Sequence, residues 1–368
     1  MLDDFSDGTP QRSLRRCGAA AGIDAWGETM QRNMEAGDRI AARECMPGPG
    51  TIRVAICICT FKRQKMLREL LGGIAQLTFR KVRTPQIQIV VVDNDQLGTA
   101  REACETASLP KLVKYVVEPR CGITHARNRA ITEAGPVDFI AFIDDDEVPS
   151  AQWLDELLWT QEEFGADVVS GPVSPRFAQE VADWVKTGRF FDARLSATGT
   201  PRKTCACNNV LVAIDVFRRV PKFDEAFALS GAEDTDFFLR AHQAGCRIVW
   251  SQEAVVFEAV SPKRGTIAWL LRREYQTGNG WVFCEARANG SLRNWIVRFA
   301  RACGHIILGS LNSILRFVML DKVAAVRSLQ RVSLGMGMLT ALAGHRFLAY
   351  QNPDAKPVKL ESLAARLE

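Results

Sequence analysis

The chain has 368 residues, enough for one large domain with appendages or for two domains. Its 47% hydrophobic and 24% charged content is ordinary for a globular protein, and a net charge of +5 is too mild to argue for a nucleic-acid partner. The 11 cysteines lack CxxC spacing, histidine occurs only four times, and no secretory signal peptide opens the chain; zinc sites and histidine-based triads are disfavoured, and reduced packing thiols in a cytosolic protein are expected.

Residues 1–46 lack sustained periodicity beyond a short helix over 25–42, and Pro47-Gly48-Pro49-Gly50 marks a linker. Order is expected to begin with a strand, Ile52 to Cys59, followed by Thr60-Phe61-Lys62-Arg63. A helix over Gln64 to Leu77 places Met66, Leu67, Leu70, Leu71 and Ile74 on one stripe. A second strand, Ile87 to Val92, runs into Asp93-Asn94-Asp95, and a third, Leu112 to Val117, precedes a loop at Gly122 that feeds a helix. The fourth strand, Phe139 to Ile143, stops at Asp144-Asp145-Asp146-Glu147. A helix over Trp153 to Phe164 and a strand over Asp167 to Val173 follow. Apolar strands alternating with amphipathic helices predict an α/β fold with a parallel sheet covered on both faces.

Polar residues follow strand after strand at one sheet edge, which is where α/β sheets bind ligands. If the extended geometry persists, Asp144 and Asp146 point the same way. Two carboxylates roughly 6 Å apart repel by about 3 kcal/mol at an effective dielectric near 20, a cost that a bound cation would offset; a solvated acidic turn is the alternative. Neither GxGxxG after the first strand nor GxxxxGK[ST] occurs, which disfavours a dinucleotide site and a P-loop.

Farther along, residues 177–203 read as a loop-rich insertion able to cover the crevice, and Cys205 to Ile214 as a strand containing Asn208 and Asn209, a strand-end turn pair. Glu233 and Asp234 begin a helix, where acids are favoured by roughly 0.3–1 kcal/mol, so capping alone would account for them. Short strands at 246–250 and 254–257 precede a basic, aromatic stretch from Arg264 to Trp281.

Taken together, Thr60-Phe61-Lys62-Arg63, Val92-Asp93-Asn94-Asp95, Gly122 with Ala126-Arg127-Asn128, Asp144-Asp145-Asp146 and Glu233-Asp234 stand in the order found in family-2 glycosyltransferases. The resemblance covers about residues 51–285 and is strongest to bacterial exopolysaccharide enzymes of the succinoglycan type. It implies a GT-A fold: a Rossmann-like mixed, mainly parallel sheet flanked by helices, here with a C-terminal helical extension. It implies an inverting transfer from a nucleotide sugar, first of all a UDP-sugar, to a glycan or polyprenyl-diphosphate-linked acceptor. On the matching positions, Thr60, Asp93, Asn94, Arg127, Asn128, Asp145 and Glu233 would bind substrate. Asp144 and Asp146 would hold Mg²⁺ or Mn²⁺, and Asp234 would be the catalytic base. Arg272 and Arg273 are candidates for the diphosphate or solvated surface cations. They stand near, but do not match, the Gln-x-x-Arg-Trp motif of processive relatives, which favours addition of a single sugar. A metal-dependent nucleotidyltransferase and a non-catalytic nucleotide-sugar-binding module are the competing readings.

From 286 to 350 two mainly apolar helices carry Arg293, Arg298, Arg301, Arg316, Lys322, Arg327 and Arg331 in and beside them, with Asp321 as the acid. Their interrupted apolar runs fall short of the ~18–20 residues of a membrane span. Basic amphipathic helices suit an anionic leaflet, where each cation adds about 1 kcal/mol; a helical cap or a dimer interface is the alternative. The expected organisation is thus an extension (1–50), a catalytic domain (51–285), basic helices (286–350) and a tail (351–368), in the cytoplasm at the inner face of the cell membrane.

Overall fold

In the computed structural model, which describes residues 50–349 apart from 108, 110, 111 and 289, the first strand sets the layering. Along β1 (Arg53–Thr60), Val54, Ile56 and Ile58 pack on one face with Leu67, Leu70 and Leu71. Ala55 and Cys57 pack on the other with Ala126, Ala130 and Phe237. A strand buried on both faces requires helices on both sides. Those helices are drawn from α1 (Gln64–Ile74), α2 (Arg101–Glu105), α3 (Ile123–Glu133), α4 (Trp153–Phe164), α5 (Asp183–Thr187), α6 (Ile214–Arg219) and α7 (Glu233–Gln243). The remaining strands are β2 (Gln86–Asp93), β3 (Val113–Val117), β4 (Phe139–Ile143), β5 (Glu147–Pro149), β6 (Val168–Ser170), β7 (Val173–Phe177), β8 (Pro201–Arg202), β9 (Asn209–Ala213), β10 (Ile248–Trp250) and β11 (Val256–Val260).

An eight-stranded sheet has the order β3-β2-β1-β4-β9-β6-β10-β8, and a three-stranded sheet the order β5-β11-β7. In the large sheet β9 and β8 run against their neighbours and the other strands are parallel, so the fold is mixed and mainly parallel, as expected. The helix expected over 25–42 and the tail from 351 lie outside the described residues.

Two strands differ from expectation. The run 167–173 is not one strand: Gly171-Pro172 turns the chain out of the large sheet, and β7 starts the small one. A Cβ at Gly171 would collide with Ala254 O, so the turn depends on glycine there. The strand expected from Cys205 begins only at Asn209; Cys205, Ala206 and Asn208 instead line a cavity, while Cys207 packs in the core.

Asn209 joins these pieces. Its Oδ1 accepts from the Trp153 indole at 2.8 Å, and its Nδ2 donates to Pro172 O at 3.0 Å and Ala254 O at 2.7 Å. The residue is 1% exposed, so its partners have no water to turn to. Leaving buried polar groups unpaired costs about 1–3 kcal/mol each. Asn209→Ala is expected to lower stability by about 3 kcal/mol in a urea titration; a loss under about 1 kcal/mol would contradict that role.

Three helices complete the chain: α8 (Ile267–Ala288), α9 (Leu292–Val318) and α10 (Lys322–Leu342). Phe227, Val282, Phe283, Met338 and Ala341 form the core that docks them. Gly278 faces the Leu334 backbone and Gly337 the Tyr275 backbone so closely that a Cβ at either would clash, which sets the spacing of α8 and α10. Among the described residues no helix is long and apolar enough to cross a membrane.

Candidate active site

The ends of β1, β2 and β4 meet at one edge, with Thr60 opposite Asp93 in register. The chain leaves β4 in a turn closed by the Asp144 N–H donating to Glu147 Oε2 at 3.2 Å. Extended geometry therefore ends at Ile143, so the alternation expected of a continuing strand does not govern the three aspartates. Asp145 turns inward and accepts from Thr60 Oγ1 at 2.7 Å and Arg63 Nη1 at 2.9 Å. Asp146 accepts from Arg63 at 3.1 Å and lies 3.6 Å from Arg264 Nη1. Asp144 lies 3.6 Å from Arg127 Nη2. Each acid thus meets an arginine, which offsets the repulsion inside the cluster.

Arg127 is the hinge of the site. It is buried on α3, and besides Asp144 it donates to Glu233 Oε1. Glu233 opens α7 just after Ala232, whose φ of 66° is left-handed. Its carboxylate reaches sideways to Arg127, a contact that a role at the helix terminus alone would not require. Glu233 Oε2 is buried without a hydrogen-bond partner. Burial pushes the Glu233 carboxyl up to about 7, against the pull of Arg127, with Asp234 and Asp144 adding to the rise. Burial also pushes Asp144 upward, with Asp146 and Asp145 adding, although water reaches the 43% of its side chain that is open to solvent.

A folded-state pKa above the unfolded one gives stability that is present below about 4.5 and is lost as pH rises through about 7. The melting temperature should therefore fall from pH 5 to 8, and fall less steeply in Glu233→Gln. Parallel pH profiles for the two chains would rule this out.

Asp234 is half-buried, and its Oδ1 accepts from the Thr235 N–H at 2.6 Å. Its charge acts on Arg127 and on the Cys205 thiol. Cys205 lines a cavity of about 450 Å³ that also includes Asn208, Trp250, Glu258 and Arg273, with Phe190 and Phe191 from the loop-rich insertion. This cavity sits at the β9–β6–β10 side of the same sheet edge, beside the acidic turn: Asn208 Nδ2 donates to Glu147 Oε1 at 3.0 Å, and Glu258 pairs in register with Glu147.

Several expected ligand contacts have other work. Asp93 is 0% exposed, and its carboxylate accepts from the Asp95 N–H at 3.0 Å, the Ala100 N–H at 2.8 Å and Tyr115 OH at 2.8 Å, so it shapes the loop after β2 and offers no open atom to a base. Asn94 donates to Glu118 O at 2.8 Å and Arg120 O at 2.7 Å and accepts from the Gly122 N–H at 3.0 Å, which ties β2 to the start of α3. Both ends of the Asn128 amide bind the Phe223 backbone, each at 2.9 Å, so it clamps α3 to the segment before α7. Thr60 is 3% exposed and positions Asp145. Arg272 and Arg273 are exposed on α8, with their guanidinium groups 5.3 Å from the Phe347 ring and 5.4 Å from the Trp269 ring; only Arg273 lines the cavity.

Arg63, Arg264 and Glu258 belong to the site without having been singled out, and Glu147, the last of the four successive acids, belongs to it without having been given a role. Arg63 stood within the quoted run after β1, and only its length of reach hinted at a partner. Glu258 and Arg264 arrive from the distant β11 segment and carry no local signal.

Among the described residues no group of three or more His, Cys, Asp or Glu is placed to hold a cation alone. Asp144 and Asp146 offer hard oxygen donors on one turn. That set fits Mg²⁺ or Mn²⁺, which take one or two carboxylates and complete their shell with phosphate oxygens and water.

The model described as "Glycosyl transferase family 2" matches residues 55–220, and that described as "Glycosyl transferase family group 2" matches 139–345. The succinoglycan biosynthesis protein ExoM of Rhizobium meliloti (strain 1021) is 33% identical over 257 residues, which cover 68% of this chain and 82% of that protein. Glycosyltransferase AglE of Haloferax volcanii is 22% identical over 231 residues, 62% of this chain and 73% of that one. The mannosyltransferase PcManGT of Pyrobaculum calidifontis, solved in complex with GDP-Man and Mn²⁺, superposes with a TM-score of 0.54 at 19% identity, over 87% of this chain and 96% of that one; this likeness shows the fold. The chain belongs to glycosyl transferase family 2 and is a glycosyltransferase built on the GT-A fold.

Proposed function

We propose that this protein is an inverting, metal-dependent hexosyltransferase that moves one sugar from a nucleotide-sugar donor, first of all a UDP-sugar, to a glycan or polyprenyl-diphosphate-linked acceptor. The observation that carries this reading is the Asp144–Arg127–Glu233 chain, which ties the acidic turn to the helix start bearing Asp234. A bound Mg²⁺ or Mn²⁺ would be held by Asp144 and Asp146 and would neutralise charge on the leaving diphosphate. The nucleotide lies over the ends of β1 and β2, on loops locked by Thr60, Asp93 and Asn94. Asp234 takes the proton of the acceptor hydroxyl as that oxygen bonds to the anomeric carbon from the face opposite the leaving group. The bond from the anomeric carbon to phosphate breaks, and its electron pair leaves with the nucleoside diphosphate. Arg127 holds Asp144 and Glu233 in place while this happens. The ExoM likeness supports a role in bacterial exopolysaccharide or surface-glycan synthesis, and the basic hairpin supports work on the cytoplasmic side of a membrane surface.

Asp146→Ala tests the metal and donor assignment. Titration of the protein with UDP-sugars and Mn²⁺ should show donor affinity falling about tenfold or more, equivalent to about 1.4 kcal/mol. Unchanged metal-dependent affinity would remove Asp146 from the site. Product analysis separates this reading from its rivals: a glycosylated acceptor with nucleoside diphosphate is expected, whereas a sugar nucleotide with pyrophosphate would indicate nucleotidyl transfer.

A further inference from the structure

The cations of the C-terminal helices do not form one leaflet-facing stripe. Arg298 is buried and donates to Glu285 Oε2 at 3.1 Å, and Arg301 approaches Glu285 at 3.4 Å. Lys322 sits 4.5 Å from the Trp184 ring. These groups hold the helices to the protein and to each other. A different set gathers where α9 meets α10: a groove of about 200 Å³ lined by Asn312, Arg316, Ala324, Arg327, Ser328 and Arg331. Three arginines line it, and no acid does. The charge nearest to hand is Asp321, 3.9 Å from Arg316 and committed to capping α10 through the Ala324 N–H at 3.0 Å. Three arginines and the Asn312 amide make a site for an oxyanion of phosphate type, which accepts several charge-assisted bonds at once, while the Ser328 hydroxyl donates to Ala324 O at 2.9 Å.

The surroundings say where that phosphate comes from. Next to the groove, Leu311, Ile314, Leu315, Phe317 and Leu320 are between 54% and 90% exposed at the tip of the hairpin. A free phosphate ion has no use for an apolar rim; a lipid headgroup brings acyl or polyprenyl chains that would cover it. From the groove, Arg327 also donates to Gly188 O at 2.7 Å and lies 5.7 Å from the Phe190 ring, and Phe190 lines the 450 Å³ cavity beside the acidic turn. The groove and that cavity therefore share a wall.

We propose that the α9–α10 groove binds the phosphate of an anionic lipid headgroup, with the apolar hairpin tip seated among the lipid chains. This rests on the reading that the enzyme works at a membrane surface. It adds a defined headgroup site whose neighbour is the catalytic cavity, so a lipid-borne saccharide held there would reach toward Glu258 and Asn208.

The test is co-sedimentation of the full chain with phosphatidylcholine vesicles, with and without phosphatidic acid, repeated with millimolar inorganic phosphate. The intact protein should bind phosphatidic-acid vesicles about tenfold better than plain ones, and free phosphate should not displace it. Arg316→Ala with Arg331→Ala should erase that preference, while Arg218→Ala with Arg247→Ala, far from the hairpin, should keep it. Circular dichroism of each variant confirms that it is folded. Equal binding to both vesicles, loss of preference in the remote pair as well, or displacement by free phosphate would each overturn the headgroup site and leave the membrane reading standing. Absence of binding to either vesicle would overturn both.

Discussion

Asp234→Asn is expected to slow turnover by roughly 10²–10⁴-fold while donor binding stays within about twofold, because the role proposed for Asp234 is that of a positioned base and not of a metal or diphosphate ligand. Asparagine keeps the size of the side chain and can still accept from the Thr235 N–H, the contact Asp234 makes at 2.6 Å, so the start of α7 is preserved. What disappears is the capacity to take the acceptor proton. Steady-state kinetics with a saturating donor, paired with donor titration, separates the two effects. Turnover within threefold of the parent would take Asp234 out of the mechanism, and the burden would then fall on Glu233, whose carboxyl is already pushed up to about 7 by burial.

Arg127→Ala should produce the largest loss of stability. The guanidinium is buried between Glu233 and Asp144, and its removal strands Glu233 in a space where Oε2 already lacks a partner. Breaking a buried pair by deleting one member costs roughly 3–5 kcal/mol, since the remaining charge must lose its counter-ion or take up a proton. A urea titration above pH 7 should show that loss, and it should shrink as pH falls toward about 7, because Glu233 without the arginine that pulls its carboxyl down takes up a proton more readily. Arg127→Lys should recover part of the stability but little of the turnover, because a single ammonium cannot span both carboxylates as a planar fork does. A wild-type midpoint for the alanine variant would show that the two acids do not depend on this arginine.

Strand ends were the most legible part of the sequence. Apolar runs that stop at Thr60, Asp93 and Asp144 mark where β1, β2 and β4 reach the sheet edge, and those residues do meet there. The direction in which each side chain turns was not legible, because it is set by partners far along the chain. Asn94 and Asn128 are held by backbone from the 118–122 loop and from Phe223, and Asp93 by Asp95, Ala100 and Tyr115. Arg264 reaches Asp146 only because β11 lies between β5 and β7. One local signal was passed over: Gly171-Pro172 is a pair of breakers inside the run read as a single strand. In the C-terminal helices composition gave the basic character, but only packing decides that Arg298 turns inward while Arg316, Arg327 and Arg331 converge on a groove.

Release of nucleoside diphosphate from a panel of nucleotide sugars, followed with Mn²⁺ or Mg²⁺ and again with EDTA, puts the central claim to its most direct trial. Slow donor hydrolysis that needs the divalent ion, selects one donor and vanishes in Asp146→Ala is the predicted result. Hydrolysis that persists undiminished in EDTA, or in Asp146→Ala, would contradict a catalytic centre built on the acidic turn.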